Sequence, residues 1–126
     1  MYKNLTTAAV LGMIAVILGA FGAHALKSKL TPEALESFET AVRYQFFHVL
    51  LLLFVNMYTE FTNKEKNKIS YFLIAGILLF SGSIYLIYLL NVPAKSIWFV
   101  TPLGGLLLII GWGLLAYNFF KRVVKN

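Results

Sequence analysis

The sequence predicts an all-α integral membrane protein, a four-helix bundle with an amphipathic outer segment leading into its second helix. Three observations carry this. Of 126 residues, 60% are hydrophobic and 13% charged, whereas water-soluble domains keep about a quarter of their residues charged. The charges leave long gaps: 23 residues between Lys3 and Lys27, 16 between Arg43 and Glu60, 26 between Lys68 and Lys95, and 25 between Lys95 and Lys121. These runs are continuously apolar and do not alternate as barrel strands do, so helices must satisfy the backbone in lipid. A hydrocarbon layer of roughly 30 Å takes about 20 helical residues. Three gaps are long enough outright, and Arg43 and Glu60 can snorkel at the ends of the shorter one. The chain reads as a single transmembrane domain over 1–126, with helices at about 5–26, 32–60, 69–90 and 100–121.

The first helix, Leu5 to Leu26, carries Ala8, Gly12, Ala15, Gly19, Gly22 and Ala23 at spacings of three and four. Such a stripe lets another backbone come close, because packing must supply association where lipid gives no hydrophobic drive. Ordinary packing inside the bundle is the main expectation, and a homo-oligomer seam through Gly12, Gly19 and Gly22 is the sharper one. Lys3 followed by an apolar run and Ala23-His24-Ala25 has the look of a signal peptide. The run exceeds the usual signal core of about 7–15 residues, which favours a spanning helix.

Thr31-Pro32-Glu33 reads as an N-cap, a proline at the first helical position and a carboxylate against the positive helix end. Leu35, Phe38 and Val42 share one face while Glu33, Glu36 and Thr40 point elsewhere. The segment is therefore expected to lie on or project from the outer surface and to enter the membrane near Tyr44. A short polar loop around Phe61 to Lys68 precedes the third helix, which Asn91-Val92-Pro93 ends. Trp98 and Phe99 mark an interface, Thr101-Pro102 opens the fourth helix, and cations close it.

Four crossings put Lys3, Lys64, Lys66, Lys68, Lys121, Arg122 and Lys125 on the side of the termini, and Lys27, Lys29, Arg43 and Lys95 on the other. Positive charge predicts the cytoplasmic side, so both termini are expected inside. The net charge of +6 sits in short clusters at helix ends. It predicts membrane lipids as partners, and no nucleic acid.

On this topology the polar side chains gather in the outer half. His24 ends the first helix; Arg43, Tyr44, Gln45 and His48 begin the membrane part of the second; Ser81, Ser83 and Tyr85 lie on the third; Thr101 opens the fourth. Tyr44, Gln45 and His48 are spaced to share a helical face. Polar groups at this depth turn inward and pair, so interhelical bonding and ligand binding are both open readings. The leading one is a lipid headgroup or a partner held there, with Arg43 as the anion contact, His24, Gln45 and His48 shaping the pocket and Tyr85 closing it.

Enzymatic chemistry finds little footing. The absence of Cys removes thiolate nucleophiles and metal sites, and the absence of Asp removes a literal Ser-His-Asp triad. His24, His48 and Glu36 or Glu39 lack a recognisable metal-ligand spacing, and the reading is of no cofactor and no catalytic residue. A haem or metal held by His24 and His48 is an alternative from another class. Proton-coupled export is disfavoured because no acid lies at mid-depth, and a passive small-molecule pore or carrier is a further alternative.

The segments "GAFGAHALK", "FETAVRYQFFHVLLLL", "LLFSGSIYL" and "TPLGGLLLIIGWGLLA" together resemble the family of small bacterial membrane proteins known as domain of unknown function 423. The resemblance covers nearly the whole chain and implies a four-helix integral membrane protein, with no activity to carry over. It sets the family pattern on Gly19 to His24, Tyr44 to His48, Ser81 to Ser83 and Thr101 to Gly105. Where relatives tend to follow the second histidine with alanines, this chain has Val49, Leu50 and Leu51.

Overall fold

The fold was read from a computed structural model, which describes residues 2–125. It is all-α. Helix α1 spans Tyr2–Phe21 and runs on through a π-helical turn, Gly22–Leu26; α2 spans Pro32–Met57, α3 Asn63–Leu89 and α4 Val100–Lys125, with a 3-10 turn at Ala94–Ser96 before α4. All four helices are long and apolar enough to cross a membrane, the shortest counting its π turn having 25 residues. At 1.5 Å per residue that is roughly 37 Å, more than the hydrocarbon core requires.

The boundaries have local causes. Thr31 Oγ1 accepts the Ala34 N–H at 3.2 Å with Pro32 behind it, and α2 starts there. Thr62 and Glu65 form a reciprocal capping box, Glu65 N–H to Thr62 Oγ1 at 3.2 Å and Thr62 N–H to Glu65 Oε2 at 2.9 Å. That box starts α3 six residues before the expected Ile69. After α3 the chain turns through Asn91 at φ 56°, a left-handed conformation that asparagine tolerates, and the Val92 N–H closes back on the Leu86 carbonyl at 3.1 Å.

The first turns of α2 do not lie flat on a surface. The helix is unbroken from Pro32 to Met57, and Phe38 and Ala41 are completely buried. The amphipathic face finds its apolar partner inside the bundle: a Cβ on Gly22 would come within 2.8 Å of the Phe38 ring, and the Phe38 and Tyr85 rings lie 5.5 Å apart. Glu33, Glu36 and Glu39 remain exposed.

The packed pairs are α1 on α2, α2 on α3 and α3 on α4. Helices α2 and α3 are thus central, and α1 and α4 flank them. The glycine stripe of α1 meets α2 of the same chain, with Gly12 against Val49 and Gly19 against Val42. Intrachain packing therefore fills the face on which an oligomer seam was also expected. A second, closer seam joins α3 to α4 through Gly76, Gly104 and Gly111. Val49, Leu52, Leu73 and Ile77 form an apolar mid-layer, while Ile17, Leu50 and Ile109 face outward, as a lipid solvent requires.

Candidate functional site

Two polar layers lie above and below that apolar middle. In the layer toward the α1–α2 loop, Gln45 is the centre. Its Nε2 donates to the Leu11 carbonyl of α1 at 2.7 Å, and its Oε1 accepts from the Tyr85 hydroxyl of α3 at 2.7 Å. One amide on α2 thereby ties three helices. Nearby, Ser81 Oγ donates to the Ala41 carbonyl at 2.7 Å, and Ser83 and Thr101 join α3 to α4 through their hydroxyls. These groups have short direct partners, which is how polar atoms are kept from costing a few kcal/mol each in hydrocarbon.

His48 belongs to the same layer and faces α4. Trp112 Nε1 donates to His48 Nε2 at 3.0 Å, and His48 Nδ1 lies 2.6 Å from the Tyr44 carbonyl. An indole N–H is only a donor and a carbonyl only an acceptor. The imidazole is therefore neutral with its proton on Nδ1, and both ring nitrogens are committed. The two rings meet edge to face, 6.0 Å apart. Trp112→Phe would leave Nε2 without its donor, and is expected to cost about 1 kcal/mol. Thermal denaturation in detergent checks this, with Trp98→Phe, 72% exposed, as the silent control.

The structure separates residues that the sequence grouped. His24 sits exposed on the π-helical turn, and Arg43 is exposed on α2. Neither touches the Gln45 layer by a hydrogen bond among the described residues. Tyr44 is half exposed and stacks on Phe80 at 5.1 Å. Gln45, His48 and Tyr85 therefore do not shape a pocket around Arg43. That arginine instead borders a groove of about 300 Å³ between α1 and α2, walled by Gly19, Gly22, Phe38, Val42 and Glu39. The ion pairs among the described residues are Lys121–Glu65 and Arg122–Glu65, so Arg43 is not in one. No group of three or more His, Asp or Glu side chains able to hold a metal ion exists among the described residues, and an axial histidine pair would have to break a bond at His48.

The second layer, toward the termini, was not read from the sequence. Asn56 is completely buried; its Nδ2 donates to the Leu52 carbonyl at 2.9 Å and to Ser70 Oγ at 2.8 Å. Asn4 Nδ2 donates to Asn56 Oδ1 at 3.0 Å and to Asn67 Oδ1 at 2.9 Å, joining α1 to α2 and α3. Arg122 closes the same end from α4, with 2.9 Å to Glu65 Oε2 and 2.7 Å to the Glu60 carbonyl. The available signal was an uncharged one: amides inside or just beside apolar runs. Trp112 was missed for a similar reason, since an indole in an apolar helix reads as filler until its N–H is seen to have a partner.

The family described as "Protein of unknown function (DUF423)" matches residues 18–105, which include the first three quoted motifs and the Thr101–Gly105 start of the fourth. A UPF0382 membrane protein of Staphylococcus aureus (strain bovine RF122 / ET3-1) is 40% identical over 109 residues, 86% of this chain and 88% of its own length. A UPF0382 membrane protein of Haemophilus influenzae is 43% identical over 120 residues, 94% of each chain. No solved structure matches the chain.

Proposed function

We propose, starting from a chain that belongs to the DUF423 family, that this is a non-enzymatic membrane protein that binds a phospholipid headgroup in the groove between α1 and α2. The observation that carries the reading is the pairing of Arg43 and Glu39 on one groove, with neither spent in an ion pair among the described residues. Glu39 lies one helical turn, about 6 Å, nearer the α1–α2 loop and therefore nearer water. A phospholipid that carries an amine orders its charges the same way, phosphate toward the hydrocarbon and amine outside it. Arg43 forks onto phosphate oxygens and Glu39 receives the ammonium. A groove of about 300 Å³ suits a headgroup.

The interior bonds of Gln45, Ser81, Ser83, Thr101 and His48 are then bracing that holds the groove walls, and take no part in binding. The excess of cations on the side of the termini, seven against four, supports a cytoplasmic location for both termini and an outer-leaflet address for the groove.

Retention of phosphatidylethanolamine by the purified full-length protein tests this. Arg43→Ala is expected to weaken retention about fivefold or more, the scale of one basic contact near a charged surface. Glu39→Gln is expected to erase the preference for phosphatidylethanolamine over phosphatidic acid, which lacks the amine. Protein purified from native membrane with no such lipid, together with an Arg43→Ala variant that binds as the parent does, would sink the proposal.

A further inference from the structure

A second groove lies at the opposite end of the molecule, between the start of α1 and the outer face of α3, with a volume of about 440 Å³. Its mouth is formed by Lys3, Asn4, Asn67 and Tyr71, and below them it runs over Ile74, Ala75 and Leu78. The spacing of Tyr71, Ile74, Ala75 and Leu78 is that of a single helical face. The groove is thus polar at the water end and apolar toward the middle of the bundle.

Length, charge and hydrogen-bonding capacity each restrict what fits. From Asn67 to Leu78 is eleven helical steps, roughly 16 Å, which is about half of a hydrocarbon core of roughly 30 Å. The groove therefore spans one leaflet and does not continue across. Lys3 is exposed and is in neither of the ion pairs among the described residues, both of which use Glu65. Asn67 spends its Oδ1 on Asn4, so its amide N–H groups are without a partner among the described residues. Both Asn4 N–H groups are committed, to Asn56 and Asn67. The mouth thus offers an ammonium, an amide N–H pair and the Tyr71 hydroxyl. That excess of donors matches an acceptor-rich anion. Asn4 Oδ1 is the acceptor left over, and a headgroup hydroxyl satisfies it.

We propose that this groove holds one anionic phospholipid of the leaflet on the side of the termini, its phosphodiester at Lys3 and Asn67 and one acyl chain along Ile74, Ala75 and Leu78. The Asn4 link between α1 and α3 fixes the mouth, because it holds the start of α1 beside Asn67 while the paired Asn56 anchors it to α2. The site is independent of Arg43, which lies at the other end of the helices, and the two sites differ in the headgroup they take.

Native mass spectrometry of the full-length protein with dioleoyl phosphatidylglycerol or dioleoyl phosphatidylcholine tests it. With the α1–α2 groove disabled by Arg43→Ala in every protein compared, the chain with Lys3 intact is expected to retain one phosphatidylglycerol in preference to phosphatidylcholine. Lys3→Ala is expected to reduce that retention about fivefold or more, and Lys3→Arg to preserve it. Ala75→Phe blocks the apolar strip and is expected to reduce retention with the mouth intact. Every protein compared carries Arg43→Ala, so failure here is distinguishable from failure of the Arg43 site, which is read with phosphatidylethanolamine. Equal retention of the two lipids by the Arg43→Ala protein with Lys3 intact overturns the proposal. So does undiminished phosphatidylglycerol binding in both Lys3→Ala and Ala75→Phe, or a lipid-free dimer that Ala75→Phe dissociates, which would identify the occupant as a second copy of the chain.

Discussion

Gly104→Ala is expected to destabilise the protein by about 3 kcal/mol or more, the upper range for forcing an extra methyl group into a packed seam. The added Cβ would lie 2.7 Å from Phe80 Cα and 2.8 Å from the Leu79 carbonyl carbon. Those atoms are backbone, so no side chain can swing aside to make room. Helix α4 must move off α3, and the hydroxyl contact of Ser83 with Thr101, one turn away, goes with it. The neighbouring contacts deepen the effect, because Gly76 and Gly111 give the same seam its close approach to Leu108 and Leu73. Gly113→Ala is the matched control: nothing lies within 4 Å of its new Cβ. There the gain in helix propensity, up to about 1 kcal/mol, is free to appear. Unfolding in detergent micelles distinguishes the pair, and equal stability of the two variants would refute the seam.

The second large effect is expected at Gln45. Gln45→Leu keeps the bulk and removes both bonds, to Leu11 and to Tyr85. The Leu11 carbonyl keeps its own helical bond, so its loss is small. The Tyr85 hydroxyl is left half-buried with no Gln45 partner, and the total expected cost is about 2 kcal/mol. A double-mutant cycle separates this from lost packing. Gln45→Leu combined with Tyr85→Phe removes both partners and is expected to recover about half of the loss. If the double variant is less stable than Gln45→Leu by the full cost of Tyr85→Phe alone, the two side chains are not coupled and the hub is not a hub.

Both predictions rest on features with very different visibility in the sequence. Thr101-Pro102-Leu103-Gly104-Gly105 was conspicuous as a motif, yet nothing in it distinguished Gly104, packed on the α3 backbone, from Gly105, whose nearest contact is an ordinary 3.8 Å to the Phe80 ring. Gln45 was among the grouped polar residues, but the group was drawn too wide. His24 and Arg43 share its depth, and depth alone does not say on which side of a helix a residue lies. The amides Asn4, Asn56 and Asn67 are neutral, so the charge pattern of the chain does not mark them.

The one-dimensional pattern of the chain determined the four apolar crossings, the caps at Thr31, the side shared by the termini and the layer of depth at which Gln45, His48, Ser81 and Tyr85 lie. These follow from hydropathy, helix rise and capping chemistry, all of which act between near neighbours in sequence. Tertiary structure decided the rest: that His48 meets Trp112 and His24 meets neither, that the closest glycine seam joins α3 to α4, and that Arg43 and Lys3 border separate grooves. Such choices depend on the rotation and spacing of helices about one another. Lipid, being as apolar outside the bundle as the side chains within it, exerts no hydrophobic preference between those rotations, so close packing and individual hydrogen bonds select among them.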